Sequence, residues 1–384
     1  MSKSNETTPN VPTLRFAEYT DEWHKYTLSD FVSRVTRRNK NNESSLSLTI
    51  SAQYGLVDQI TFFNKTVSSV DLSGYYLLYN GDFAYNKSYS NDYAWGAVKR
   101  LDKYEKGCLS SLYFVFRPTD KVDSDYLTHY FETSKWHKGI SNIAGEGARN
   151  HGLLNMAVDD YFATKHYLPS LSEQKKIACF LNLITKRIEI QNKIISKYET
   201  LIKGLCDILF MGTEENVLPL KAIASIDKGQ QINGLSLAKT GKYYYLNGGI
   251  TPSGYVDDYN SSENTIAISE GGNSCGFVSY NTQKFWSGGH CYTLKIKNTQ
   301  CCSKFLFFYL KYKEKDIMQL RVGSGLPNIQ KKSLENFVVP LPTFEKQCYI
   351  ERILESITAK KEIETALLGQ FQSQKKFLLS KMFI

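Results

Sequence analysis

The chain repeats itself, and that repeat limits what it can fold into. Residues 168–210 lie over residues 341–383 at a constant offset of 173 without a gap, and 12 of the 43 positions are identical. About two or three identities are expected from average residue frequencies. Conservative pairs include Leu171/Phe344, Phe180/Ile353 and Tyr198/Phe371. Upstream, Gly152, Leu153 and Asn155 fall over Gly325, Leu326 and Asn328. A repeat of this span in 384 residues implies two similar units.

Each repeated segment reads as one long helix. In the first, Ile177, Leu181, Ile184, Ile188, Gln191, Ile195, Tyr198, Ile202, Leu205 and Leu209 alternate steps of four and three, an a/d heptad seam with one polar position. In the second the seam is Ile350, Leu354, Ile357, Lys361, Glu364, Leu368, Phe371, Lys375, Leu378 and Met382, weakened by three charges. Pro169 ends what precedes the first helix, and Ser170 with Glu173 forms a capping box. In the second copy Thr343 is the cap, but Lys346 replaces the acid. A helix from Leu171 to Phe210 would be about 60 Å long at 1.5 Å per residue. A narrow apolar stripe of that length needs a neighbour, and antiparallel pairing of the two copies is the simplest burial. Gln191, Lys361 and Glu364 would then meet near mid-helix and fix the register. The alternative is two ordinary amphipathic helices, each packed on its own domain.

The rest of the chain divides into two globular units. The expected boundaries are 1–167 (with 1–12 disordered), 168–213 for the first helix and its linker, 214–340, and 341–384 for the second helix. Residues 211–217, MGTEENV, read as a short polar linker. Residues 74–79, 81–86 and 111–116 in the first unit and 265–269, 276–280 and 291–296 in the second are short apolar or alternating runs between Gly, Asn and Ser turns, which predicts strands. Residues 124–133 and 303–312 read as helices.

The formal charge is +9, which favours a polyanionic partner. Residues 1–167 are neutral, and the surplus is spread over the remainder, so any affinity for a polyanion must come from local clusters. The 8 Cys form no CxxC pair and read as reduced thiols of a cytoplasmic protein. The 6 His form no HxxxH or HExxH, so no metal site is expected. No apolar run reaches the roughly 18 residues that a membrane span needs. Two catalytic signatures are missing too: no GxxxxGK[ST], and no Pro-Pro pair of the kind amino-group DNA methylation uses. No catalytic residue is assigned.

Residue types suited to DNA recur at matched places. Arg34, Arg37, Arg38 and Lys40 lie in a run with no acid between Phe31 and Asn42 and suit phosphates; a solvated basic loop is the plainer reading. Asn86, Lys87 and Tyr89 sit in a strand-end turn. Arg149, Asn150 and His151 lie in a Gly-flanked loop, and Arg and Asn suit guanine and adenine edges. The corresponding loop of the second unit carries Arg321, Asn328, Gln330, Lys331 and Lys332. DKGQQING (227–234) adds Lys228, Gln230, Gln231 and Asn233.

The order of domain, long helix, domain and long helix resembles the specificity subunits of type I restriction–modification systems. LRFAEYTDEW (14–23), SAQYGLVDQITFFNK (51–65), GDFAYNKSYS (81–90), LPSLSEQKKIACFL (168–181), YYYLNGGITPSGYV (243–256) and FWSGGHCYTL (285–294) resemble stretches of that family. Lys346-Gln347 departs from its usual Glu-Gln. The resemblance implies an α/β fold of the mixed α+β kind: two target-recognition domains joined by an antiparallel coiled coil of two long helices, as a pseudo-twofold repeat. It implies a non-catalytic subunit that reads a bipartite, asymmetric double-stranded DNA target. The helix pair would set the gap between half-sites. Two methylation subunits would bring S-adenosylmethionine, and restriction subunits would bring ATP and Mg-dependent cleavage. A self-contained nuclease with a duplicated domain, and an interaction scaffold that never touches DNA, are the rival readings.

Overall fold

A computed structural model describes residues 10–64, 71–89, 93–144, 152–211, 216–233, 237–323 and 325–384. The chain packs as two compact units, Met1–Ile190 with Leu368–Ile384, and Gln191–Leu367. The division therefore runs through the middle of both long helices. Both units are mixed α/β, as expected.

In the first unit, strands Val32–Arg34, Phe114–Pro118, Phe83–Asn86 and Ala97–Arg100 form an antiparallel sheet in that order. Alternation in GDFAYN decides what each face buries. Phe83 pairs with Phe116 and Tyr85 with Phe114, and these four rings share a core with the helix Ser124–Phe131. Tyr85 stacks on Tyr161 with centroids 4.8 Å apart. On the other face Ala84 and Val115 pack with Leu48, Ile50, Leu56 and Leu78. Asp123 caps the helix by accepting a hydrogen bond from the Tyr126 amide.

The second unit repeats the plan. Strands Ala224–Lys228, Cys291–Ile296, Thr265–Ser269 and Val278–Asn281 form its antiparallel sheet. Ile266 and Ile268 pair with Leu294 and Tyr292 and pack on the helix Ser303–Tyr312. Ala267 and Cys291 face a smaller core with Leu246 and Phe285. A three-stranded sheet of Gly254–Val256, Tyr243–Leu246 and Trp286–Ser287 lies beyond it.

Each unit is closed by pairing its entry strand with the strand before its long helix: His24–Thr27 with Lys165–Leu168, and Val217–Pro219 with Val338–Pro340. Residues 216 and 217, assigned to the linker from sequence, thus belong to the second unit's framework, and the Asn216 carbonyl accepts a hydrogen bond from the Leu341 amide. Residues 212–215 of that linker lie outside the described residues, as do residues 1–9 of the segment expected to be disordered.

The long helices span Leu171–Phe210 and Phe344–Lys381. None of the twenty seam positions is exposed, whereas most flanking positions are. The helices run antiparallel: Gln191 bonds Glu364 and Lys361 pairs with Glu199 in the second unit, while Arg187 lies 4.6 Å from the Phe371 ring in the first. Gln191 and Glu364 are separated by the repeat offset itself, so equivalent positions meet. The Gln191 amide donates to the Glu364 carbonyl at 3.0 Å and to its carboxylate. Lys375, the third charged position, reaches Glu132 at 2.8 Å. Burial would push the Glu132 carboxyl up, but His129 and Lys375 hold it down to about 2.

The predicted capping box is only half made. Ser170 Oγ accepts from the Glu173 amide at 3.4 Å. The Glu173 carboxylate turns instead to Arg15, which grips it with Nε and Nη2, each at 2.7 Å. A bidentate charged pair outcompetes a neutral cap bond. Beside it, Gln174 accepts from the Asp123 amide and donates to the Pro169 carbonyl. Its repeat partner Gln347 accepts from the Cys302 amide and donates to the Gln300 and Pro342 carbonyls. Asp123 and Cys302 cap the core helices of their units, so each buried glutamine ties a long helix to a core helix.

The far ends of the helices behave alike. Phe210 packs on Phe305, Tyr309 and Tyr312 in the second unit, and its repeat partner Phe383 packs on Tyr126 and Tyr130 in the first. The Leu14 amide donates to the Lys381 carbonyl, which joins the N-terminal segment to the end of the second helix.

Candidate nucleic-acid interface

The basic run of the first unit is not a uniform set of outward cations. Arg34 ends its strand exposed, and Lys40 is exposed on a short 3-10 turn. Arg37 is committed inward: its Nη2 lies 2.5 Å from Asp82 Oδ2, and its guanidinium lies over the Tyr79 ring at 4.6 Å. Arg117 takes the other oxygen, Oδ1, at 2.6 Å, and the Tyr79 amide donates to Oδ2 at 2.8 Å. Arg38 donates to the Gly74 carbonyl and lies 4.3 Å from the centre of the Tyr76 ring. Of the four, Arg37 and Arg38 are thus engaged by neighbours within the unit.

Asp82 is fully buried between two arginines that are each over one-third exposed. Asp82→Ala is expected to destabilise the first unit by about 2 kcal/mol, less than a fully buried pair would lose because water screens both partners. A denaturant midpoint unchanged from wild type would show that the cluster adds nothing.

Asn86 Oδ1 accepts from the Ser88 amide at 2.9 Å. Lys87 lies 4.8 Å above Phe114, and burial pulls its ammonium below the ordinary lysine range. The Tyr89 amide donates to Gly152 and the Leu154 amide to Lys87. This joins the 86–89 turn to the chain just after Arg149, Asn150 and His151. Those three residues lie outside the described residues.

In the second unit two distant segments converge on Glu270. Lys228 donates to Glu270 Oε1 at 2.6 Å, and the Ile329 amide donates to the Glu270 carbonyl at 2.8 Å. Gln230 and Gln231 are exposed, as is Asn233. The Gln230 amide donates to the Ser287 carbonyl, and the Gln230 carbonyl accepts from Trp286 Nε1. Gly229 permits this approach, since a Cβ there would stand 2.2 Å from the Gly288 carbonyl oxygen. Lys228 and Gln230, with Asn260, Ser287 and Lys295, also line a polar cleft of about 460 Å³.

The stretch 321–332, read as a loop, is a small hairpin followed by a short helix. Arg321 and Val322 pair with Ile329 and Asn328, and Lys331–Glu335 is helical. Arg321 and Asn328 are exposed, and Asn328 Oδ1 accepts from Gln330 Nε2 at 3.0 Å. Lys331 lies 3.8 Å from Glu335, and Lys332 is exposed.

One further surface went unassigned from sequence. Tyr243 and Tyr259 pack with centroids 5.0 Å apart, Lys284 lies 4.6 Å over Tyr259, and Lys242 lies 5.1 Å from the Tyr243 ring. Aromatics with adjacent cations suit nucleic acid. The YYY run at 243–245 was the available signal.

Among the described residues no group of three His, Cys, Asp or Glu is placed to hold a metal, and no helix is long and apolar enough to cross a membrane.

Residues 214–371 match the family model of the type I restriction modification DNA specificity domain. A putative type I specificity subunit of Mycoplasma pneumoniae is 34% identical over 123 residues, and this stretch spans 32% of each chain. A putative type I restriction enzyme specificity subunit of Methanocaldococcus jannaschii is 23% identical over 97% of this chain and 95% of its own length. The crystal structure of the type I restriction–modification S subunit from M. genitalium shares the fold, with a TM-score of 0.66 at 19% identity over 97% of this chain and 99% of that one. Residues 214–371 thus match a type I restriction modification DNA specificity domain, the curated relatives are named type I specificity subunits, and the chain shares the fold of an S subunit.

Proposed function

We propose that this chain reads a bipartite, asymmetric double-stranded DNA target, one half per unit, and directs adenine methylation and restriction carried out by partner subunits. The observation that carries this reading is the duplication itself: two separately cored units, each with basic and amide-bearing loops, in a chain whose residues 214–371 match the type I DNA specificity domain. The chain contributes recognition and no catalytic group. Two methylation subunits supply S-adenosylmethionine, and restriction subunits supply ATP-driven, Mg-dependent cleavage, all in the cytoplasm. Arg34 and Lys40 contact phosphates in this reading, and the exposed amides of Gln230, Gln231 and Asn328 lie nearer to base edges.

Sequencing of methylated adenines in cells carrying the intact system tests it. Deleting this chain is expected to abolish one split methylation motif, and restoring it to bring the motif back. A methylation pattern indifferent to the chain would refute the reading.

A further inference from the structure

Glu270 is an acid on the surface of the second unit that carries Lys228, Gln230 and Asn328, and it pairs directly with Lys228. It directly follows the strand Thr265–Ser269. Its Oε1 accepts from Lys228 at 2.6 Å, and its Oε2 lies 3.8 Å from His290 Nδ1. The Tyr292 hydroxyl lies 3.1 Å from both Glu270 Oε1 and the Ile329 carbonyl oxygen, its proton poised between two acceptors. The Glu270 backbone accepts from the Ile329 amide and donates to the His290 carbonyl. One residue thus fastens the end of the first sheet strand, the turn before Cys291 and the Asn328 hairpin. Its side chain is 12% exposed, while Lys228 is 53% and His290 63% exposed.

We propose that Glu270 is a positioning residue for sequence selection by the second unit. This rests on the DNA-reading function proposed above. The residue, through its backbone and its carboxylate together, does two things at once. It fixes the three segments bearing Lys228, His290 and Asn328 relative to one another. It also cancels the Lys228 charge, so that this surface does not grip phosphate indiscriminately. A lysine neutralised in this way releases no counterion of its own on binding DNA. Sequence selectivity is the difference between cognate and random affinity, and lowering the random term raises it.

The experiment uses the full-length chain with its methylation subunits and a duplex pool with a randomised segment, with bound duplexes sequenced and binding repeated across a salt series. Glu270→Gln keeps an acceptor for Tyr292 but removes the charge. It is expected to raise affinity for random duplex several-fold and to steepen the salt dependence by about one counterion. Enrichment of the selected sequence should fall about tenfold, within what one lost base contact costs. Adding Lys228→Gln to it should return random affinity and salt slope to wild type, which a merely structural role would not do. Glu270→Asp, which keeps the charge and shortens the reach, should keep the wild-type slope and lose enrichment; it carries the test if Glu270→Gln fails to fold. Unchanged enrichment in both variants, or equal loss of random and selected binding, overturns the role of Glu270. A wild-type complex that enriches no sequence removes the DNA-reading function, and this inference falls with it.

Discussion

Gln347→Ala is expected to destabilise the second unit by about 3 kcal/mol, because truncation strands one buried amide and two carbonyls and leaves a void. Gln347 is fully buried, and its amide group satisfies Cys302, Gln300 and Pro342 together. Gln174→Ala breaks only the bonds to Asp123 and Pro169 and should cost the first unit less, about 2 kcal/mol. Hydrogen exchange within Ser303–Tyr312 and Ser124–Phe131 reads the two losses separately. Gln347→Glu adds a pH signature. A protonated carboxyl can still donate to one carbonyl, whereas the ionised form faces two carbonyl oxygens in a buried site. Its folded pKa is therefore raised above the unfolded value. Stability is present below the unfolded value and lost as pH rises through the folded one. A stability gap to wild type that does not widen from acid to neutral pH would show that the carboxyl reaches solvent.

A heptad added to both long helices is expected to move the gap in the DNA target by about three base pairs, since seven residues span roughly 10 Å and DNA rises about 3.4 Å per pair. The insertions belong between Gln191 and Glu199 in the first helix and between Lys361 and Glu364 in the second, where contacts on the two helices face each other. Both half-site sequences should be retained, and methylation at the original gap should be lost. The same insertion in one helix alone should break the seam, because it slides apolar positions past their partners. A methylated motif with an unchanged gap after the paired insertion would mean that the helices are not the ruler.

The long helices and sheet cores were legible because each rests on a short period. Strict four-three spacing brought every seam position out of solvent, and alternation in residues 83–86 and 265–269 sorted those strands onto their cores. The expectation that polar seam positions meet holds for Gln191 and Glu364, while Lys361 and Lys375 found acids elsewhere. Distant side-chain chemistry was not legible. Nothing local tells Arg37 that Asp82 lies beside it, or Glu173 that Arg15 will displace its cap bond. Gln174 and Gln347 are identical across the repeat, but their partners are backbone groups, which leave no mark in sequence. Phe210 reads as the end of a helix before a polar linker; its ring is part of the second unit's core.

The exchange of helix ends has a consequence for ancestry. Phe383, from the second copy of the repeat, completes the core of the first unit, and Phe210, from the first copy, completes that of the second. A half-length forerunner with one globular part and one helix would have lacked that ring in its own core and obtained it from a twin. Tandem duplication of its gene would then have joined two molecules already built around each other, with no new contact to invent. From that moment the halves would have been free to drift apart in sequence, while the traded ends stayed bound to one another's upkeep.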